Sequence, residues 1–133
     1  MTGVQTCALP ISTEHKLSVE NIRFGIMVEV PSVLFLMEAF NEVVDFYSVG
    51  TNDLTQYLYA IERTHPTLHA EPLSPALLGA LEMIASRSSK PVSICGEIAG
   101  MAEAIPLLLK IGFESLSMAP AHIPLIKETI RDA

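Results

Sequence analysis

Four times between Phe24 and Ile130, a short apolar run gives way to a turn and then to apolar residues at helical spacing. The runs are Phe24 to Val30, Phe46 to Val49, Val92 to Cys95 and Phe113 to Met118. The first is nearly continuous, as expected for a strand covered on both faces. After it, Pro31 and Ser32 open a predicted helix with Val33, Leu36, Met37 and Phe40 as its buried stripe. After the second run, Gly50-Thr51-Asn52-Asp53 leads into Leu54, Tyr57, Leu58 and Ile61, a helix predicted to end around Arg63. Ser74 and Pro75 read as a cap and first helical position for a helix carrying Leu77, Ala80, Leu81 and Ile84, which stops at Ser88-Ser89-Lys90-Pro91. The last two helices are predicted from Ala102 to the closing Gly112 and from Pro120 to Ile130. Connections this short leave no room for antiparallel strands between units, so the strands are expected to be parallel, with right-handed crossovers.

Two α/β architectures fit that order. A (β/α)8 TIM-type barrel takes about 250 residues, so four units in about 110 amount to half of one. An open doubly wound sheet is the alternative, but no Gly-x-Gly-x-x-Gly turn follows a strand to support a dinucleotide site. Residues 1–16 lack periodicity and include Gly3 and Pro10, and they read as a disordered or foreign leader ahead of a domain over residues 17–133.

Composition narrows the partners. A formal charge of −7 with no Lys/Arg cluster argues against nucleic acid and anionic membrane surfaces, which select basic patches. No apolar run reaches the roughly 18 residues of a membrane span. Two cysteines are too few for a disulfide framework, and both Cys7 and Cys95 are expected to be reduced thiols in the cytoplasm.

In parallel α/β folds the carboxyl ends of the strands share one mouth, where ligands bind. Three of the four runs end there in a chemically capable group: Glu29 after the first, Asn52 and Asp53 after the second, Cys95 and then Glu97 at the third. Two carboxylates on successive units can share a Mg²⁺ ion, which is typically held by one or two carboxylates together with substrate oxygens and water. Each residue has a plainer reading as well. Asn52 and Asp53 suit a helix cap, and Glu29 a solvated loop. Cys95 can be a small core residue, and Arg63 a helix-end cation facing the dipole. A thiol near its reference pKa of about 8.5 stays mostly protonated at neutral pH and can serve as a general acid. The histidines His15, His65, His69 and His122 show no metal-binding spacing and read as surface residues.

Taken together, Gly25-Ile26-Met27-Val28-Glu29-Val30-Pro31, Asp45 to Tyr57 with Glu62-Arg63, Ile94-Cys95-Gly96-Glu97-Ile98-Ala99-Gly100 and Leu116-Ser117-Met118 resemble the phosphoenolpyruvate-utilising enzymes. Within that family they look most like Enzyme I of the bacterial phosphotransferase system, over about residues 22 to 131. The resemblance implies the C-terminal half of a (β/α)8 barrel that binds phosphoenolpyruvate and Mg²⁺. Carried over by position, Glu29 and Asp53 match the magnesium carboxylates. Asn52 and Arg63 match groups that hold the substrate's phosphate and carboxylate. Cys95 matches the acid that protonates C3 of the pyruvate enolate.

The phosphohistidine that family members carry on a swivelling domain has no counterpart here, nor have the substrate arginines of earlier barrel strands. The chain is therefore expected to be a fragment of a phosphoenolpyruvate-protein phosphotransferase. It would be inactive alone, with a phospho-carrier protein as partner through the missing domains and a homodimer in the parent. A fragment of pyruvate phosphate dikinase or of phosphoenolpyruvate synthase is the alternative, as is a non-catalytic dimerisation module.

Overall fold

The structure is a computed structural model, and it describes residue 14 and residues 22–132. The expected leader over residues 1–16 therefore lies, apart from Glu14, outside the described residues, as do Cys7 and His15. The chain is a mixed α/β protein in which β1 (Gly25–Val28), β2 (Phe46–Gly50), β3 (Val92–Cys95) and β4 (Ser115–Ser117) form one parallel sheet. The strands lie side by side in chain order, with no reversal of the kind an open doubly wound sheet turns on.

Register decides which face is core. Val28, Val49, Ile94 and Leu116 are aligned across the sheet, and the first three are completely buried. They pack against Leu54, Leu77, Leu81, Ile84 and Leu108 from the helices, each inaccessible or nearly so. Fully burying a side chain of this size contributes about 1.5–3 kcal/mol, so this layer is what holds the sheet to the helices. Because strand side chains alternate, the neighbouring row Met27, Ser48, Ser93 and Ser115 points to the other face. The interior of a closed parallel barrel is typically filled with bulky branched side chains. Here small hydroxyls dominate the face, with Met27 (49% exposed) and Phe46 (37% exposed) as its large apolar groups.

Within residues 22–132 the α-helices are α1 (Met37–Asn41), α2 (Thr51–Tyr59), α3 (Pro75–Arg87), α4 (Ile105–Ile111) and α5 (Ile123–Asp132). α3 follows its sequence signals closely: Ser74 caps it by accepting from the Leu77 N–H, and Pro75 takes the first turn. α4 ends at Gly112, whose left-handed backbone (φ 109°) accepts the turn. The helix expected from Pro31 is split. A 3₁₀ turn spans Pro31–Phe35, Leu36 leaves the helical region, and α1 begins only at Met37. The split rotates the stripe: Leu34 and Met37 are buried, while Leu36 is 52% exposed. α2 stops at Tyr59 rather than near Arg63, because Ala60 adopts a left-handed conformation (φ 52°) and its N–H bonds the Gln56 carbonyl.

Beneath α1, the buried Tyr47 hydroxyl donates to Asn41 Oδ1 at 3.0 Å, which also accepts from the Ser89 N–H. Asn41 Nδ2 donates to the Arg87 carbonyl, and Arg87 Nη1 donates to the Leu34 carbonyl. One polar chain thus ties β2, α1 and the end of α3 together. Burial pushes the Tyr47 phenol above its ordinary value.

Candidate functional site at the strand ends

Since the strands are parallel, the residues that close them converge at one edge of the sheet. Gly50, Cys95 and Ser117 are register partners, and Glu29 follows directly on Val28, whose partner Val49 precedes Gly50. The Glu29 carboxylate reaches over that glycine: a carbon added at Gly50 would lie 3.1 Å from Glu29 Oε2. Among the described residues Glu29 has no hydrogen-bond or ion-pair partner. It is half-buried, and its oxygens remain available to a ligand.

α2 starts immediately after β2, so its first turn projects into the same edge. Neither Asn52 nor Asp53 caps it; the N-cap is Gly50, with no side-chain bond. Asn52 Oδ1 instead accepts the Glu97 N–H at 3.2 Å. Thr51, 2% exposed, donates its hydroxyl to the Cys95 carbonyl at 2.9 Å. The two side chains clamp the segment that follows β3. Gly96 lies between them at φ 111°, and a carbon added there would collide with Thr51 Oγ1 and stand 3.0 Å from Asn52 Oδ1. Only glycine combines that backbone with that closeness. Fixing Asn52 Oδ1 on a backbone donor also assigns the amide, leaving Nδ2 as the free donor.

Asp53 Oδ1 accepts from Gln56 Nε2 at 3.0 Å and from Arg63 Nη2 at 3.3 Å, and Oδ2 carries no hydrogen bond within the described residues. Arg63 is not a helix-end cation. It lies beyond the α2 cap, its N–H bonds Gln56 Oε1, and its guanidinium returns to Asp53. Both side chains of the pair are about half exposed, where such a bridge contributes roughly 0–1 kcal/mol. Its value is placement: it brings a cation back towards the strand ends.

Cys95 is partly accessible and outside the buried core. Its thiol donates to the Val49 carbonyl at 3.2 Å and accepts from Ser48 Oγ at 3.6 Å. A cleft of about 210 Å³ opens beside this row, between α2, the segment through Ala70 and the turn after β3; Asn52, Gln56, Arg63, His69 and Glu97 line it. It shares Asn52 and Arg63 with the strand-end row but does not include Glu29, Asp53 or Cys95. No group of three or more potential metal ligands occurs among the described residues. Glu29 and Asp53 each keep an oxygen without a partner among the described residues, and one or two carboxylates completed by substrate and water are what a Mg²⁺ ion typically takes.

Sequence reasoning singled out Glu29, Asn52, Asp53, Arg63 and Cys95, and the fold puts all five on or next to the carboxyl edge of the sheet. It passed over Ser48, Thr51 and Gln56, which contact Cys95, Asp53 and Arg63. A hydroxyl in a strand run just before the Gly-Thr-Asn-Asp turn was the available signal for Ser48.

The chain is similar to known proteins over nearly its whole length. A family model described as "PEP-utilising enzyme, PEP-binding domain" matches residues 2–133. Multiphosphoryl transfer protein 1 of Escherichia coli (strain K12) is 40% identical over 133 residues, covering 96% of this chain and 16% of that protein. The phosphoenolpyruvate-protein phosphotransferases of Haemophilus influenzae and of Buchnera aphidicola subsp. Schizaphis graminum are each 36% identical, over 97% and 96% of this chain and 23% of their own length. The chain thus spans less than a quarter of these curated relatives. A match through residues 2–133 places it in a family: the chain belongs to the phosphoenolpyruvate-utilising enzymes, as a phosphoenolpyruvate-binding domain.

Proposed function

We propose that the chain is the C-terminal half of a (β/α)8 barrel in a phosphoenolpyruvate-protein phosphotransferase of the Enzyme I type. It binds phosphoenolpyruvate with Mg²⁺ and passes the phosphoryl group to a histidine on another domain. The observation that carries this reading is the gathering of Glu29, Asn52, Asp53 and Cys95 at the carboxyl edge of one parallel sheet. Glu29 and the free Oδ2 of Asp53 would hold the metal, which when bound supplies neutralising charge for phosphoryl transfer. Asn52 Nδ2 and the remaining N–H groups of Arg63 donate to phosphate and carboxylate oxygens. Positioning and charge, rather than covalent chemistry, are what such a transfer needs from the protein.

After the phosphoryl group has left, C3 of the pyruvate enolate takes the proton of the Cys95 S–H, and the bonding pair stays on sulfur. The proton donor acts after binding. Cys95→Ala in the full-length parent is therefore expected to abolish pyruvate formation while leaving phosphoenolpyruvate and metal binding intact. Loss of folding in the same variant, measured by urea denaturation, would return Cys95 to a core role. The phospho-carrier protein, the parent's homodimer and a cytoplasmic location belong to the same reading. No helix among the described residues is long and apolar enough to cross a membrane.

Calorimetric titration of pyruvate with and without Mg²⁺ tests the site. Heat that requires Mg²⁺ and disappears in Asp53→Asn is expected; binding indifferent to both overturns the metal assignment. A dimerisation module without chemistry is the second reading, favoured by exposed Phe35 and Tyr57 on the helical side. It predicts self-association with no pyruvate heat at all.

A further inference from the structure

Ser48 lies one row below the strand ends, in register with Ser93 of β3 and on the sheet face away from the core. Its hydroxyl donates to Cys95 Sγ at 3.6 Å, while the thiol donates its own proton to the Val49 carbonyl at 3.2 Å. Thr51 fixes the Cys95 carbonyl, holding in place the backbone that carries the sulfur. The two bonds differ in what they favour. The bond to the Val49 carbonyl exists only while sulfur carries its proton. The bond from Ser48 strengthens once the proton is gone, because a hydroxyl bonds a charged acceptor about twice as strongly as a neutral one.

We propose that Ser48 is a positioning residue for Cys95: it holds the sulfur in place and stabilises the thiolate left when the thiol gives up its proton. The proposal rests on the reading of Cys95 as the enolate acid. In that step the S–H bond breaks, the C3–H bond forms, the electron pair remains on sulfur, and the Ser48 O–H bonds it until water restores the proton. No other co-reactant is required.

The test measures the sulfur directly. Site-resolved iodoacetamide labelling of Cys95, read by peptide mass spectrometry so that Cys7 does not interfere, is compared at neutral pH for the unaltered full chain, Ser48→Ala and Ser48→Thr. Labelling follows the thiolate, so Ser48→Ala is expected to slow it about threefold to tenfold. Ser48→Thr, which keeps the hydroxyl and suits a strand, is expected to restore it. Circular dichroism establishes that each variant is folded. Unchanged or faster labelling in folded Ser48→Ala overturns the proposal, as does failure of Ser48→Thr to restore the rate. Cys95→Ala in the full-length parent tests the underlying reading separately. Slower labelling in Ser48→Ala together with undiminished pyruvate formation in Cys95→Ala would leave the contact standing and overturn the role assigned to it in catalysis.

Discussion

A methyl group at residue 96 has nowhere to go. The backbone there, at φ 111° and ψ −177°, lies in a region essentially reserved for glycine, costing about 1–3 kcal/mol in a residue with a side chain, and the Thr51 hydroxyl occupies the space. Adding the strain of overpacking, Gly96→Ala is expected to destabilise by about 2–4 kcal/mol in urea denaturation. It should also loosen the Glu97 N–H from Asn52. Thr51→Val keeps the shape and removes the donor, leaving the Cys95 carbonyl short of a partner, at a cost of about 1–3 kcal/mol. Both variants act on the segment that carries the thiol, so pyruvate heats should fall with stability. Sequence alone marked these residue types but could not pair them. Asn52 and Asp53 suit a cap by composition; what diverts Asn52 is the Glu97 N–H, 45 positions away on another strand's turn, while Asp53 is taken up by Gln56 and Arg63.

Local patterning fixed the elements unevenly. The span of α3 was fully legible, because Ser74, Pro75 and the stop at Ser88 are local signals and its apolar stripe is unambiguous. The helix after β1 was not. Val33, Leu36, Met37 and Phe40 fit a helical period, yet tertiary packing favoured Leu34 with Met37 and broke the helix at Leu36. The end of α2 was misjudged for a related reason: Ala60 takes the left-handed position that glycine or asparagine usually signals. Ala60→Gly is expected to stabilise by up to ~1 kcal/mol, relief of strain outweighing the freedom glycine gains in the unfolded chain. A raised urea midpoint at unchanged slope would show it.

The chain from Tyr47 to Asn41 and Arg87 gives a second test on elements. Burial raises the Tyr47 phenol above 10.0, so the unfolded chain gives up that proton first as pH rises. Its contribution is fully present below about pH 10 and is lost as pH climbs through the folded-state value. Tyr47→Phe is expected to cost about 0.5–1.5 kcal/mol at neutral pH and to flatten this alkaline loss. Urea midpoints at about pH 8 and about pH 11 for both proteins would measure it.

For the molecule as a whole, β1 and β4 each have one edge without a partner strand among the described residues, and Met27 and Phe46 stand exposed on the face away from the helices. Unpaired edges template association. We expect purified chain to self-associate with rising concentration in sedimentation velocity and to form no pyruvate from phosphoenolpyruvate in a coupled assay; a monodisperse, active monomer would overturn the half-barrel reading. The hydroxyls on the face away from the helices make the edges, rather than that face, the sticky feature. Parallel order was legible because the units repeat. The polarity of the face away from the helices was not, because Ser48, Ser93 and Ser115 sit within runs that read simply as strand.

The uninterrupted neighbour order of the strands also bears on how such a molecule is made. Each strand bonds only those that come just before or just after it in the chain, so a ribosome can deliver the sheet in the sequence in which it is built, one strand docking on the last. Among the described residues, no strand has to wait for a distant partner to be synthesised. A nick between units would then divide the protein into two pieces that carry matching seams, and a gene cut at such a boundary would still encode parts able to find one another.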